Sequence, residues 1–355
     1  MAKILILGTG SMAVSHAKAF AAAPDTELVA AVETDAARRD AFGQQFGITQ
    51  LFPDLESAIA WGGFDAVANV TPDAVHYPTT MRLIAAGKHV FCEKPLATTY
   101  PLALEMAEAA EAKGLINMVN FTYRNSPALQ KARELVVDGA IGDIRYFEAS
   151  YLQSWLVSKA WGDWRTESRW LWRLSSQHGS KGVLGDVGVH IVDFATYGAN
   201  SALAGIDSRL KTFHKAEGDR IGEYPLDAND SAVMTAELTN GALGTITATR
   251  FATGHANDLT LRLFGTSGGL EVKTDGQISS LRICKGPEID TFAWEEVECP
   301  PVPTTYERFA RACNTGVNDE PSFRRAAEIQ RILDLCFAQE AARALADAAP
   351  VSASQ

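Results

Sequence analysis

The first third of the chain alternates short apolar runs with amphipathic stretches. Lys3-Ile4-Leu5-Ile6-Leu7 reads as a strand, 14–23 as a helix and Leu28-Val29-Ala30-Ala31-Val32 as a second strand. Further strands are predicted over 65–70, 88–92 and 115–120, with helices over 77–86 and 102–113 between them. That alternation is the rhythm of a doubly wound parallel sheet. After Asn120 the rhythm changes: a helix over 127–137, a turn at Gly139-Ala140-Ile141-Gly142, a strand over 144–152, an irregular tryptophan-rich stretch, and a short helix over 187–197. Five β segments follow without intervening helices, about 202–214, 231–238, 242–251, 259–264 and 270–273, as in an open, mainly antiparallel sheet. Helices over 306–314 and 326–345 end the pattern, and the small-residue run 348–355 is expected to fray. The chain is thus expected to be an α/β protein of two domains, a Rossmann-type doubly wound sheet over 1–122 and a second α/β domain with a large open sheet over 123–355.

Size agrees, since 355 residues exceed what one core ordinarily serves and 46% are apolar. A net charge of −11 argues against nucleic acid or an anionic membrane as a partner. The five cysteines, Cys92, Cys284, Cys299, Cys313 and Cys336, form no C-x-x-C pair, so neither a disulfide framework nor a metal site is indicated. With no membrane-length apolar stretch and no signal-peptide pattern, a cytoplasmic protein is expected.

The first chemical feature is the turn after the first strand, Gly8-Thr9-Gly10-Ser11-Met12-Ala13. Gly8 permits the sharp turn, Gly10 lets a pyrophosphate approach the backbone, and the start of the next helix, at Ser11 and Met12, offers free N–H groups to the phosphates. The second strand ends at Glu33, the spacing of a carboxylate that accepts hydrogen bonds from the adenosine ribose. Such a carboxylate repels a phosphate on that sugar, so NAD is favoured. Arg38 and Arg39, one turn on, are the residues a phosphate would recruit, and they leave NADP open. At the end of the fourth strand, Asn69-Val70-Thr71-Pro72 and His76 are candidates for a loop over the cofactor.

Two further sites carry the catalytic expectation. Glu93-Lys94-Pro95 follows the apolar run His89-Val90-Phe91-Cys92, and the proline keeps Lys94 out of the helical region. An amine beside a bound nicotinamide is a compact charge suited to an alcohol oxygen or its proton. In Gly185-Asp186-Val187-Gly188-Val189-His190, Asp186 and His190 are four apart and share a helix face, with Asp193 a turn beyond. A carboxylate and an imidazole so placed can hold and deprotonate a hydroxyl.

These motifs, with Asn120-Phe121-Thr122-Tyr123-Arg124 and the turn from Gly139 to Gly142, resemble the Gfo/Idh/MocA family of oxidoreductases over nearly the whole chain. The resemblance implies catalytic roles for Lys94, Asp186 and His190, cofactor contacts that include Glu93 and Lys94, and a substrate contact at Arg124. It also implies a carbohydrate or polyol substrate and a C-terminal domain that binds substrate and forms a homodimer or homotetramer through its sheet. Hydride then passes between nicotinamide and a secondary alcohol, with His190 favoured as the base and Lys94 polarising the oxygen; the two roles are exchangeable. Three other functions remain open: an NAD-dependent glycosidase that oxidises its sugar transiently with the same Lys94 and His190, a non-catalytic dinucleotide sensor, which has no need of Lys94, Asp186 and His190 together, and a reductase of a non-carbohydrate carbonyl or imine, which has less use for a tryptophan-rich loop.

The stretch 153–177 holds five of the seven tryptophans, Trp155, Trp161, Trp164, Trp170 and Trp172, interleaved with Arg165, Arg169 and Arg173. Aromatic faces suit the C–H faces of sugar rings and arginines suit hydroxyls, which makes Trp172 and Arg173 candidates for substrate contact. The same composition also suits a packing or subunit-contact loop.

Overall fold

The computed structural model describes residues 1–275 and 278–348; the expected fraying of 348–355 therefore lies almost wholly outside the described residues. The elements run β1 (Ala2–Leu7), α1 (Ser11–Ala22), β2 (Thr26–Val32), α2 (Ala36–Phe46), β3 (Gln50–Phe52), α3 (Leu55–Trp61), β4 (Ala66–Asn69), α4 (Asp73–Ala85), β5 (His89–Cys92), α5 (Tyr100–Ala112) and β6 (Asn117–Val119). A 3-10 turn, Thr122–Asn125, leads to α6 (Pro127–Val137), β7 (Ile144–Gln153), α7 (Ser168–Leu171), α8 (Val189–Gly198), β8 (Leu203–Lys211) and a small hairpin, β9 (Arg220–Ile221) with β10 (Tyr224–Pro225). Then come β11 (Ser231–Leu238), β12 (Leu243–Thr249), β13 (Asn257–Gly265), β14 (Gly268–Thr274), β15 (Ser279–Lys285), α9 (Glu288–Thr291), β16 (Glu295–Glu296), α10 (Thr305–Thr315) and α11 (Phe323–Ala348).

By contacts the chain divides into Met1–Asn125 with Pro303–Arg331, and Ser126–Val302 with the chain from Ile332 on. The sequence suggested one crossing at 122/123, whereas the chain crosses three times, at 125/126, 302/303 and 331/332. The return of 303–331 has a physical cause in α10. Its apolar face, with Phe309 buried and Tyr306 nearly so, joins the core around Phe20 and Phe91, where Phe20 meets Tyr306 edge-on at 5.1 Å. A capping box between Thr304 and Glu307 starts that helix.

In the first unit six parallel strands take the order β3-β2-β1-β4-β5-β6. The strand order reverses beside β1, which has β2 on one side and β4 on the other, and open α/β sheets bind ligands at the carboxyl ends of the strands there. β4 and the last three residues of β5 are continuous runs of buried residues because both faces of this sheet are covered.

The second unit is built on an eight-stranded sheet, β16-β15-β14-β13-β7-β12-β11-β8. It is mainly antiparallel with one parallel pair, β12 beside β7. α6 and α8 pack on one face, and β11 alternates buried and exposed residues because its other side chains point away from that core. The expected strand over 202–214 ends at Lys211, and two strands absent from the sequence reading, β15 and β16, complete one edge. The helix expected over 187–197 is preceded by a π-helical turn, Leu184–Gly188, that carries Asp186.

Candidate active site

The cofactor cradle is assembled at the carboxyl ends of β1, β2, β4 and β5. Gly8 has φ +91°, and a Cβ there would lie 2.9 Å from the Val70 carbonyl oxygen, so the turn needs glycine on two counts. Gly10 is the N-cap of α1 and makes no side-chain cap. A Cβ on it would meet no atom within 4 Å. The first helical bond is Val14 N–H to Gly10 O at 3.4 Å, so the N–H groups of Ser11, Met12 and Ala13 stand ahead of the ladder, and Met12 is half exposed. An open space in front of an uncapped helix start, with no acidic residue in its first turn, fits a dinucleotide pyrophosphate.

Glu33 follows the carboxyl end of β2, next to the turn that holds Thr9. Its Oε2 accepts from Thr9 N–H at 3.2 Å and Thr9 Oγ1 at 2.9 Å; its Oε1 accepts from Asp35 N–H at 3.1 Å and Arg38 Nη2 at 3.0 Å. Burial works against its charge, but these donors outweigh it and hold the carboxyl below its ordinary value. Arg39 donates to the Glu33 carbonyl oxygen at 2.9 Å, so both arginines are turned toward Glu33.

At β4 the Asn69 amide ties the loop down: Thr71 Oγ1 donates to Asn69 Oδ1 at 2.7 Å, and Asn69 Nδ2 donates to Thr80 Oγ1 at 3.0 Å. His76 has a different place from the one expected for a cofactor contact. It is fully buried on α4, with Nδ1 2.8 Å from the Pro95 carbonyl oxygen and Nε2 2.8 Å from that of Thr71. Its ring joins the loop of Thr71 and Pro72 to the loop of Lys94 and does not face outward.

Glu93 likewise turns inward. Its Oε1 lies 2.6 Å from His16 Nε2 and accepts from Asn120 Nδ2 at 2.7 Å, while Oε2 accepts from Lys94 N–H at 3.1 Å. Burial pushes this carboxyl up, but the His16 bond and charge, the Asn120 amide and the Lys94 charge together pull it down to about 2. Lys94 follows at the strand end, half-buried. Arg124 belongs to this unit too, almost wholly buried in the 3-10 turn after β6.

Asp186 and His190 lie in the second unit, in the π turn and the first turn of α8. Gly188, between them, faces Leu184 of its own turn, whose Cδ1 is 2.8 Å from where a Cβ would sit. Asp186 is held by two arginines, Arg173 Nη1 on Oδ1 at 3.3 Å and Arg250 Nη2 on Oδ2 at 3.2 Å. His190 is 8% exposed, its ring 6.4 Å from that of Tyr151.

The tryptophan-rich stretch divides between the two expectations. Trp155 and Trp164 are buried in a small core with Leu156, Leu171, Leu174 and Leu226, and Trp164 Nε1 donates to the Leu156 carbonyl at 3.0 Å. Trp172 stays 39% exposed, with the Arg173 guanidinium 4.7 Å over its ring. Arg173 and Trp172 therefore border Asp186, whereas the other tryptophans build the wall behind them.

Sequence reasoning missed His16, Tyr306 and Arg250. Arg250 is completely buried, lies 4.9 Å over Trp155 and closes a chain of alternating charges toward the buried pair Lys215–Asp230 at 2.6 Å. Nothing around it in sequence distinguishes it from any strand-end arginine. His16 carried a signal, a histidine on the inward side of an apolar helix two turns into the dinucleotide fold.

The glycine turn and uncapped helix start at the carboxyl end of β1 have the form of a dinucleotide-binding fold. Residues 2–121 match the family described as oxidoreductases with an NAD-binding Rossmann fold, and 129–271 match the GFO/IDH/MocA C-terminal domain. Levoglucosan dehydrogenase of Pseudarthrobacter phenanthrenivorans is 30% identical over 288 residues, 75% of this chain and 72% of that one. Among solved structures, an oxidoreductase domain protein from Kribbella flavida has a TM-score of 0.84 at 30% identity, covering 96% of this chain and 97% of its own. Levoglucosan dehydrogenase in complex with NADH and levoglucosan has a TM-score of 0.82 at 25% identity, with the same coverage. The chain belongs to the Gfo/Idh/MocA family and is an enzyme of the oxidoreductase class. Among the described residues no helix is long and apolar enough to cross a membrane, and no group of three His, Cys, Asp or Glu is placed to hold a metal.

Proposed function

We propose that the enzyme oxidises a secondary alcohol of a sugar, polyol or anhydrosugar with NAD in preference to NADP, with Lys94, Asp186 and His190 as its catalytic residues. The observation that carries the reading is the carboxyl end of β5, where a buried ionised carboxylate bonds to the Lys94 backbone beside the strands that form the dinucleotide cradle. The substrate class draws support from the levoglucosan dehydrogenases to which the chain is similar.

NAD, when bound, supplies the acceptor for the hydride. His190 takes the hydroxyl proton, because an imidazole exchanges protons nearest neutral pH. The Lys94 ammonium donates to the substrate oxygen and stabilises charge that develops on it. Asp186, fixed between Arg173 and Arg250, orients the substrate hydroxyls together with Arg173, and Trp172 offers its face to the ring's C–H groups. The NAD preference rests on Glu33, whose carboxylate would repel a 2′-phosphate and already engages the donor Arg38 that such a phosphate would need. The same reading gives a homodimer or homotetramer through the large sheet, supported by Val233, Leu243 and Tyr146, 53%, 59% and 39% exposed on its open face.

The test is a panel of inositols, hexoses, anhydrosugars, uronates and glycosides offered with NAD or NADP, followed by reduced-cofactor absorbance. Turnover on one class with NAD preferred is expected. Better turnover with NADP rejects the cofactor assignment, and glycoside cleavage without net NADH moves the enzyme to the glycosidase mechanism.

A further inference from the structure

We propose that His16, Glu93 and Asn120 form a positioning brace that ties the pyrophosphate-binding helix α1 to the backbone of Lys94. The proposal rests on the reading of Lys94 as a catalytic residue. Its parts come from four separate segments. His16 lies on α1, Glu93 beyond β5 and Asn120 beyond β6, and Asn120 in turn donates to Tyr306 Oη on α10 at 3.1 Å and accepts from Thr305 Oγ1 at 3.3 Å. All the side-chain acceptor capacity of Glu93 that the contacts reveal is spent on three donors: His16, Asn120 and the Lys94 N–H.

Packing alone does not call for this arrangement. The preceding residues of β5, Val90, Phe91 and Cys92, are at most 1% exposed, and an apolar residue at 93 would extend that core without the desolvation that a buried carboxylate incurs. A carboxylate kept ionised in such a place next to a catalytic amine is the pattern of a functional site. His16 Nε2 must carry the proton to donate to Glu93, and its Nδ1 is buried with no hydrogen-bond partner among the ring edges of Phe91 at 5.6 Å and Tyr306 at 5.2 Å. From Ser11, at the phosphate end of α1, to His16 is about 7.5 Å along the helix. The helix whose start is read as seating the pyrophosphate and the backbone of Lys94 are thereby held in one hydrogen-bonded unit.

The groups facing Glu93 are His16 from α1, Tyr306 from α10, and Lys94 and Cys92 from its own segment. Loss of the His16 donor leaves burial less opposed, so the carboxyl moves up toward neutral pH. His16→Leu should lower kcat by about 100-fold, as a small misplacement of a reacting group does, with the NADH Kd within about threefold. It should also add to the kcat profile a second acidic ionisation beside that of the His190 base. His16→Gln, whose amide nitrogen reaches the Nε2 position, should recover most of the loss; His16→Asn, which reaches only the Nδ1 position, should not. Unchanged kcat with the wild type's pH profile in His16→Leu, or a Gln variant as impaired as Leu, would overturn the proposal. A substrate-free arm separates it from the functional reading. The 13C carboxyl signal of Glu93 in glutamate-labelled, NADH-bound protein, assigned by its loss in Glu93→Gln, should titrate at much higher pH in His16→Leu than in the wild type. If that shift occurs but no sugar is turned over, the brace stands and the substrate assignment fails. If the signal does not shift, the brace fails whatever the enzyme oxidises.

Discussion

At the scale of single residues the proposed chemistry depends on Lys94 and on the charge beside it. Lys94→Ala should reduce kcat by about 100-fold or more, the ordinary worth of a positioned proton-transfer or polarising group, while the NADH Kd, measured by fluorescence titration, stays nearly unchanged. Normal turnover in that variant removes Lys94 from the chemistry. Glu93 makes a separate prediction about stability. Its folded-state pKa, about 2, lies below the ordinary 4.5, so its ionisation stabilises the fold above about pH 4.5, and that contribution is lost as pH falls from there toward 2. Denaturant titrations of wild type and Glu93→Gln should show the wild type's advantage at about pH 6 shrinking by about pH 3; an advantage independent of pH contradicts the ionised assignment. Glycine and lysine positions were legible in the sequence because their reasons are local, a turn, a helix start, a proline. The network around Glu93 was not, because His16 reaches it from 77 residues before and Tyr306 reaches its partner Asn120 from the far end of the chain, and a buried hydrogen bond leaves no spacing to read.

The elements of the cradle separate conformation from function at two neighbouring glycines. Gly8→Ala places a Cβ 2.9 Å from the Val70 carbonyl at φ +91°, so it should lower the melting temperature and weaken NADH binding together. Gly10→Ala meets no protein atom within 4 Å and puts its methyl where the pyrophosphate comes. Its melting temperature should match the wild type's, while the NADH Kd rises by about tenfold or more, a loss on the order of 1.4 kcal/mol. Equal NADH affinity in Gly10→Ala would mean that the phosphates bind elsewhere. The alternation of strands and helices over the first 120 residues was plain from apolar periodicity. The π turn before α8 was not, because a helix face at four-residue spacing reads the same whether the turn is wide or ordinary; Asp186 lies in that wider turn, bonded to Arg173 and Arg250.

At the scale of the molecule, the sequence indicated two domains and an open sheet but not the threading that joins them. The helix at 306–314 was visible as an amphipathic segment; its packing partners, Phe20 and Phe91, lie some 290 and 220 residues away, beyond anything periodicity reports. Light scattering on the purified enzyme should give the mass of a dimer or tetramer, and charge placed on the open sheet face by Leu243→Glu should dissociate it, whereas a wild-type monomer rejects the sheet as an interface.

The most direct test of the central claim is transfer of a labelled hydride. A carbohydrate that turns over in the panel is supplied with deuterium on the carbon to be oxidised, and NAD and sugar are analysed together. One deuterated NADH for each ketosugar formed is the predicted result. Cleaved or unchanged sugar with no accumulation of deuterated NADH would contradict it.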